Sequence, residues 1–283
     1  MNNKYYNSPM NYTGSKFKLL GELLENFDYT KNKFYDLFTG SFVVAGNVLD
    51  KYDKIYANDI IEDIVKIHSS ILESDDIINK VKEICPKKGE SELFLKLRES
   101  YNNEKTPEKL WTLMLSSNNN MMRFNKKFLY NSTYGNRGWN SSIEQKTNLW
   151  IDHIRPYKDK VEFTSVGFRD VEIMKDCFYY CDPPYGYIMK DDGTMGNTQI
   201  SEAGYNNYYN KQDDIDLRDY LHKIDEIGST FMISGMLEHD NKKCWITNKL
   251  IEDGFNYKIL EYNYNRVSKK GNKKTVEVII FNF

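Results

Sequence analysis

The most specific run in the chain is Cys181-Asp182-Pro183-Pro184-Tyr185, directly after the apolar residues Phe178-Tyr179-Tyr180. A carboxylate at the C-terminal edge of a strand stands where doubly wound sheets bind ligands. Two prolines fix φ and carry no N–H, so they stiffen the turn and leave its carbonyls available as acceptors. Tyr185 adds a flat face for stacking. Rigid acceptors beside an aromatic platform suit a planar base that carries an amino group.

Two further runs place chemistry at strand ends. Asp36-Leu37-Phe38-Thr39-Gly40-Ser41 ends one apolar run and is expected to open a helix through Asn47. A glycine in such a turn lets the backbone approach a ligand. Ala57-Asn58-Asp59-Ile60 ends the next run, and an acid about 20 residues after the glycine turn is placed to bind ribose hydroxyls. Asn11-Tyr12-Thr13-Gly14-Ser15-Lys16 lacks the glycine spacing of a phosphate loop. The four cysteines and four histidines form no C-x-x-C or H-x-x-x-H pair, so no metal site is expected. Free thiols in a reducing cytoplasm are the simple reading.

The elements that must position these residues follow from short β-branched and aromatic runs. Strands are expected at Phe34 to Phe38, Lys54 to Ala57, Val161 to Val166, Phe178 to Cys181, Thr230 to Ser234, Tyr257 to Tyr262 and Val276 to Phe281. Several are near-continuously apolar, as in strands covered on both faces. Ser41 to Tyr52 reads as a helix between the first two, which makes a βαβ unit. Ile61 to Cys85 and Ser91 to Tyr101 have helical spacing, and Pro107 suits the first turn of a helix through Leu115. Ser116 to Trp139 is polar, basic and aromatic. Residues 62–159 therefore read as a mostly helical insertion into a sheet built from 1–61 and 160–283. The last two strands read as an antiparallel hairpin.

Composition bounds the partners. The 283 residues carry a net charge of −2, and no stretch approaches the roughly 18 apolar residues of a membrane span. The start lacks the apolar core of a signal peptide, so a cytoplasmic, folded protein is expected. The near-neutral total hides polarity. Residues 118–140 and 263–274 hold bases and no acid, whereas 182–226 hold ten acids against four bases. Local basic patches, not totals, mark a nucleic-acid footprint. The acids of 213–226 read as the exposed face of a helix. Asp191, Asp192, Gly193 and Gly196 read as a mobile acidic loop after Tyr185, where a lid would lie.

Asp182-Pro183-Pro184-Tyr185 after a strand resembles the catalytic motif of amino-group DNA methyltransferases, which use S-adenosylmethionine. Asn11 to Lys16 resembles the opening segment of adenine-N6 methyltransferases of the Dam type, and Asp36 to Ser41 their cofactor loop. The order of the Lys16 segment, Gly40 loop, Asp59, helical insertion and Asp182 motif is similar to the phage-borne Dam variety nearly end to end. The similarity includes Asn120-Met121-Met122-Arg123-Phe124-Asn125 and Val166-Gly167-Phe168-Arg169-Asp170-Val171.

The resemblance implies a Rossmann-like α/β methyltransferase fold with a mixed sheet and a helical DNA-recognition insertion. It implies a site-specific enzyme of restriction–modification or phage DNA modification. The substrate would be an adenine flipped from double-stranded DNA in a GATC-like site. The catalytic residues would be Asp182, Pro183, Pro184 and Tyr185. The cofactor would be held by Tyr12, Gly14, Lys16, Asp36, Phe38, Gly40, Asp59, Ile60, Phe168 and Asp182, without a metal. DNA would be met by Asn118, Asn119, Asn120, Met121, Met122, Arg123, Asn125, Lys126, Arg137, Lys269 and Lys270. Arg123 can donate two bonds to guanine, the methionines can wedge beside the flipped base, and the lysines suit phosphates. A monomer, or a weak dimer on DNA, is expected. Other readings keep the cofactor with a cytosine-N4 or RNA acceptor, or make the chain a catalytically silent DNA-binding homologue.

Overall fold

The computed structural model describes residues 4–200, 208–260 and 275–283. A short helix α1 (Leu20–Leu24) precedes strands β1 (Lys33–Asp36) and β2 (Lys54–Asn58). Helices α2 (Glu62–Glu73), α3 (Asp76–Ile84), α4 (Ser91–Asn103), α5 (Pro107–Ser116) and α6 (Ser141–Ile154) follow, before β3 (Val161–Thr164) and β4 (Cys177–Cys181). Then come β5 (Tyr187–Met189), β6 (Met195–Gln199), α7 (Lys211–Glu226), β7 (Thr230–His239), β8 (Lys242–Lys243), α8 (Trp245–Glu252), β9 (Asn256–Ile259) and β10 (Thr275–Phe281).

The sheet runs β3-β2-β1-β4-β7-β10-β9, with β8 paired to β7. The first five strands are parallel, and β10 enters antiparallel between β7 and β9. The fold is thus mixed α/β with a mostly parallel, Rossmann-like sheet. The order turns outward in both directions from β1 and β4, so the crevice beyond these strands is the switch point at which such sheets bind ligands.

Side chains alternate across the buried strands, as the two-residue period requires. Phe34, Phe178, Tyr180, Met232 and Ile279 face one core, shared with Trp111 and Trp150 of the helical segment. Tyr35, Tyr179, Cys181, Ile233 and Ile280 face the other, under Leu217, Leu221 and Leu250 of α7 and α8. The apolar side chains of the α2–α6 segment are thus continuous with one core of the sheet.

Four expectations change. Ser41 to Tyr52 forms only a 3₁₀ turn at Ala45–Asn47. Phe42 is left-handed (φ 60°), and a β-carbon on Gly46 would meet the Trp150 ring at 2.4 Å, so the segment is buried from several sides and cannot wind as an amphipathic helix. Ile61 to Cys85 is two helices, broken at Ser74-Asp75, where Arg155 binds the Ile71 carbonyl (3.0 Å) and the Asp75 carboxylate (2.6 Å). The stretch after Tyr185 is an antiparallel β5–β6 hairpin, with Ile188 bridged to Cys244. Finally, α7 does not expose all its acids: Asp213 and Asp214 are buried. Asp214 accepts from Tyr187 N (2.8 Å) and Tyr209 OH (2.9 Å), and so anchors the hairpin.

Candidate active site

Three carboxylates arrive at one edge because three parallel strands end there. Asp36 ends β1, Asp59 follows β2, and Asp182 follows β4. The backbone ties the ends together: Leu37 N donates to Tyr180 O at 2.9 Å and Thr39 N to Asn58 O at 2.7 Å.

Lys16 enters from the N-terminal segment. Its Nζ lies 2.6 Å from Asp182 Oδ1, and the side chain is only 6% exposed. It also reaches Gly14 O at 3.4 Å and lies 5.8 Å from the Tyr185 ring centroid. Gly14 supplies this turn with a left-handed residue (φ +89°). Burial works against the Lys16 ammonium, but Asp182 and then Tyr185 outweigh it and hold its pKa well above the ordinary value. Asp182 Oδ1 also accepts from Ser234 Oγ at 3.3 Å, which leaves the Tyr180 hydroxyl as donor to Ser234 at 2.8 Å. Burial pushes the Asp182 carboxyl up, while Lys16 and Ser234 pull it back. Pro183 is buried; Pro184 and Tyr185 are half-buried.

Asp36 is fully buried. Thr39 Oγ1 donates to its Oδ2 at 3.1 Å, and Oδ1 has no well-formed hydrogen bond. Burial, reinforced by Asp182, pushes it up to about 8. Asp59 accepts from Ile61 N at 2.9 Å and Gly40 N at 3.0 Å. Burial pushes Asp59 up to about 6 against those two donors. His68 Nε2 donates to Gly40 O at 2.8 Å, and burial lowers His68 to about 4, so it orients the loop as a neutral ring. Gly40 is left-handed (φ +45°), and a β-carbon there would stand 3.0 Å from the Tyr12 ring. Phe38 and buried Phe168 approach at 5.7 Å, while Ile60 is 52% exposed. Every expected cofactor residue therefore lies on the Lys16 turn, at a sheet-edge loop or on the Phe168 turn.

The 118–140 stretch folds as an irregular hairpin on α5, bridged at Ser117–Tyr134 and Phe124–Tyr130. Asn118, Asn119, Met121, Arg123 and Lys126 are exposed on it. Asn119 and Asn120 are left-handed (φ 53°), a conformation asparagine tolerates. Arg137 is half-buried and donates to Asn120 Oδ1 at 3.1 Å. Met122 is 1% exposed and belongs to the core, so it is not available as a wedge; Met121 is the exposed one. Asn125 Oδ1 accepts from Lys127 N and Leu129 N, which holds the turn together. Lys269 and Lys270 lie outside the described residues.

Sequence reasoning missed Ser234 and Glu277. A signal for Glu277 existed: it is the lone acid in the apolar run Val276 to Phe281. Among the described residues, no group of His, Cys, Asp and Glu is arranged to hold a metal ion, and no helix is long and apolar enough to cross a membrane.

A mostly parallel sheet with its reversed strand β10 set between β7 and β9, and a ligand crevice beyond β1 and β4, belongs to the Rossmann-like methyltransferase class. Within that class the particular family is defined by its sequence model. The model described as D12 class N6 adenine-specific DNA methyltransferase matches residues 12–268, and the chain belongs to that family. It is 28% identical to the modification methylase StsI of Streptococcus sanguinis and 28% identical to the type II methyltransferase M.FokI of Planomicrobium okeanokoites. Each match covers 99% of this chain and 43% of the relative, so the chain spans less than half the length of these proteins. Among solved structures it is similar to the tRNA (m1A58) methyltransferase TrmI of Aquifex aeolicus, with 12% identity, a TM-score of 0.38, and coverage of 98% of this chain and 72% of that one.

Proposed function

We propose that the chain transfers the methyl group of S-adenosylmethionine to the N6 amino group of an adenine flipped out of duplex DNA, within a GATC-like site. The observation that carries this reading is the Lys16–Asp182 ion pair (2.6 Å), set beside Tyr185 at the C-terminal end of β4. The family supports adenine as the acceptor.

The residues present fit the methyl donor. Asp36, Asp59 and Glu277 are buried carboxylates, Asp182 is 18% exposed, and Lys16 is the buried ammonium that pairs with Asp182. That excess of acceptors suits a ligand that brings positive charge and hydroxyl donors. Asp59 would take the ribose, Phe38, Ile60 and Phe168 the adenine, and Tyr12, Gly14, Lys16, Asp36 and Gly40 the remainder. When bound, the cofactor supplies a methyl already activated on a sulfonium.

The chain's own residues do the rest. Tyr185 stacks on the extruded base. The Asp182 carboxylate and the Pro183 carbonyl accept the two amino hydrogens, which draws the nitrogen towards tetrahedral geometry and frees its lone pair. Lys16 and Ser234 hold Asp182 in one orientation, so its charge is already aimed where positive charge develops. Pro184 stiffens the turn, and alignment of the two reactants supplies much of the rate.

The 62–159 segment would read DNA, with the remainder of the chain as the methyl-transferring body. Arg123 would pair with a guanine, Met121 would wedge beside the vacated base, and Asn118, Asn119, Lys126 and Arg137 would meet the strand. The chain would act in the cytoplasm as a monomer or a weak dimer on DNA. Incubation with labelled S-adenosylmethionine and unmethylated duplex DNA should label the DNA, and Asp182→Ala should abolish the label. Folded wild-type protein that binds the cofactor yet labels no DNA contradicts the proposal.

A further inference from the structure

The catalytic turn is held from behind. Tyr185 is followed by Gly186, and the Gly186–Tyr187 peptide is bound at both of its polar atoms. Its carbonyl accepts from Ile200 N, just past the end of β6, at 2.9 Å. Its N–H donates to Asp214 Oδ2 at 2.8 Å. Asp214 lies in the first turn of α7 and is fully buried. Its Oδ1 accepts from the hydroxyl of buried Tyr209 at 2.9 Å. A β-carbon on Gly186 would stand 2.8 Å from each Asp214 oxygen, so the carboxylate lies against the backbone itself. Burial pushes Asp214 up to about 6, while the Tyr187 N–H and the Tyr209 hydroxyl pull it back. The adjoining Asp213 is engaged elsewhere, by Arg169 at 2.5 Å and by the N–H of Asn210.

A bond from a backbone N–H to a carboxylate is charge-assisted and short, and so fixes direction as well as distance. Direction matters at this point of the chain. Pro183 and Pro184 stiffen the backbone before Tyr185, but Gly186 after it has the widest conformational freedom of any residue. Released from Asp214, the peptide behind Tyr185 can rotate, and the ring moves with it. We propose, on the adenine-methylation reading above, that Asp214 is a positioning residue for Tyr185. By fixing the Gly186–Tyr187 peptide it holds the ring in the plane on which the extruded base stacks. Asp214 acts through that peptide and not on the substrate.

Three substitutions separate this role from packing alone. Asparagine keeps both bonds, since its Oδ1 can accept from Tyr187 N and its Nδ2 can donate to the Tyr209 oxygen. Alanine loses both. Gly186→Ala breaks the same contact from the other side, because the new methyl displaces the carboxylate.

The test is a double-mutant cycle on the full chain. Single-turnover methyl transfer to duplex DNA is measured at about pH 8, where Asp214 is charged, in the wild-type and Tyr185→Ala backgrounds. Asp214→Ala should lower the wild-type rate about 10- to 100-fold, the scale of a misplaced reactant, and Gly186→Ala should follow it. Asp214→Asn should stay within about threefold of wild type, and cofactor affinity within about twofold in every variant. In the Tyr185→Ala background the further loss from Asp214→Ala should shrink to about twofold, because the ring it positions is gone. The Tyr185 ring resonances of ligand-free protein, assigned with Tyr185→Phe, should shift in Asp214→Ala and not in Asp214→Asn. A folded Asp214→Ala with the wild-type rate, equal losses in the two backgrounds, or unmoved ring resonances overturns the proposal. If Asp214→Ala does not fold, Gly186→Ala carries the same cycle. Wild type that transfers nothing fails the underlying reading instead, and the ring resonances still decide whether Asp214 holds Tyr185.

Discussion

Lys16 and Asp182 meet at 2.6 Å although one belongs to the turn before α1 and the other to the turn after β4. The pair fastens the N-terminal segment to the switch point of the sheet. It also opposes burial, which pushes the Asp182 carboxyl towards the neutral acid.

Removing the ammonium should therefore disable Asp182 without touching it. Lys16→Met is expected to lower methyl transfer by about 10²–10³, the scale of losing one preorganised electrostatic partner. The carboxyl of Asp182 should titrate higher in that variant. Kinetics and carboxyl titration on the same protein check both outcomes.

Ligand-free protein should become less stable as pH rises from about 4 towards about 8. Asp36 is pushed up to about 8, Glu277 to about 7 and Asp59 to about 6. In each case the folded pKa lies above the unfolded one, so the folded state binds more protons across that window and unfolding stability falls with pH. His68, lowered by burial to about 4, works the other way below about pH 6.5 and offsets part of the fall. Urea midpoints at the two ends of the window measure it, and Asp36→Asn should remove the largest part.

The two adjacent methionines should separate cleanly. Met122→Ala opens the shared core and should cost about 2–5 kcal/mol. Met121→Ala, at an exposed site, should stay within about 0.5 kcal/mol and act on DNA binding. Arg123→Ala should leave stability unchanged and lose about 1–3 kcal/mol of discrimination at one guanine. Denaturation and binding to single-substituted duplexes give the comparison.

A methyl group at Gly40 has to displace the Tyr12 ring and adopt a left-handed backbone. Gly40→Ala should weaken cofactor binding at least tenfold, because Gly40 N is also one of the two donors that fix Asp59. Calorimetric titration with S-adenosylmethionine measures it.

These residues also mark what could be read before the structure. Strand positions were legible because both sheet faces are buried: runs such as Phe178-Tyr179-Tyr180-Cys181 and Val278-Ile279-Ile280 have little choice but strand. Asp36, Asp59 and Asp182 were legible for the same reason, since each stands where such a run stops. Ser41 to Tyr52 misled because Phe42, Val43, Val44 and Val48 are buried on different sides, and helical periodicity carries no information there. Met122 and Asp214 misled because neighbours distant in sequence cover them. The Ser234 placement depends on β7 lying beside β4, and that of Glu277 on β10 lying beside β7, which no local pattern reveals.

The most direct measurement is nucleoside analysis of duplex DNA after incubation with the protein and S-adenosylmethionine. N6-methyladenine as the sole new nucleoside is predicted, absent with Asp182→Ala while that variant still binds the cofactor. N4-methylcytosine in its place, or N6-methyladenine undiminished in Asp182→Ala, would contradict the assignment of Asp182 and its Lys16 partner to adenine methylation.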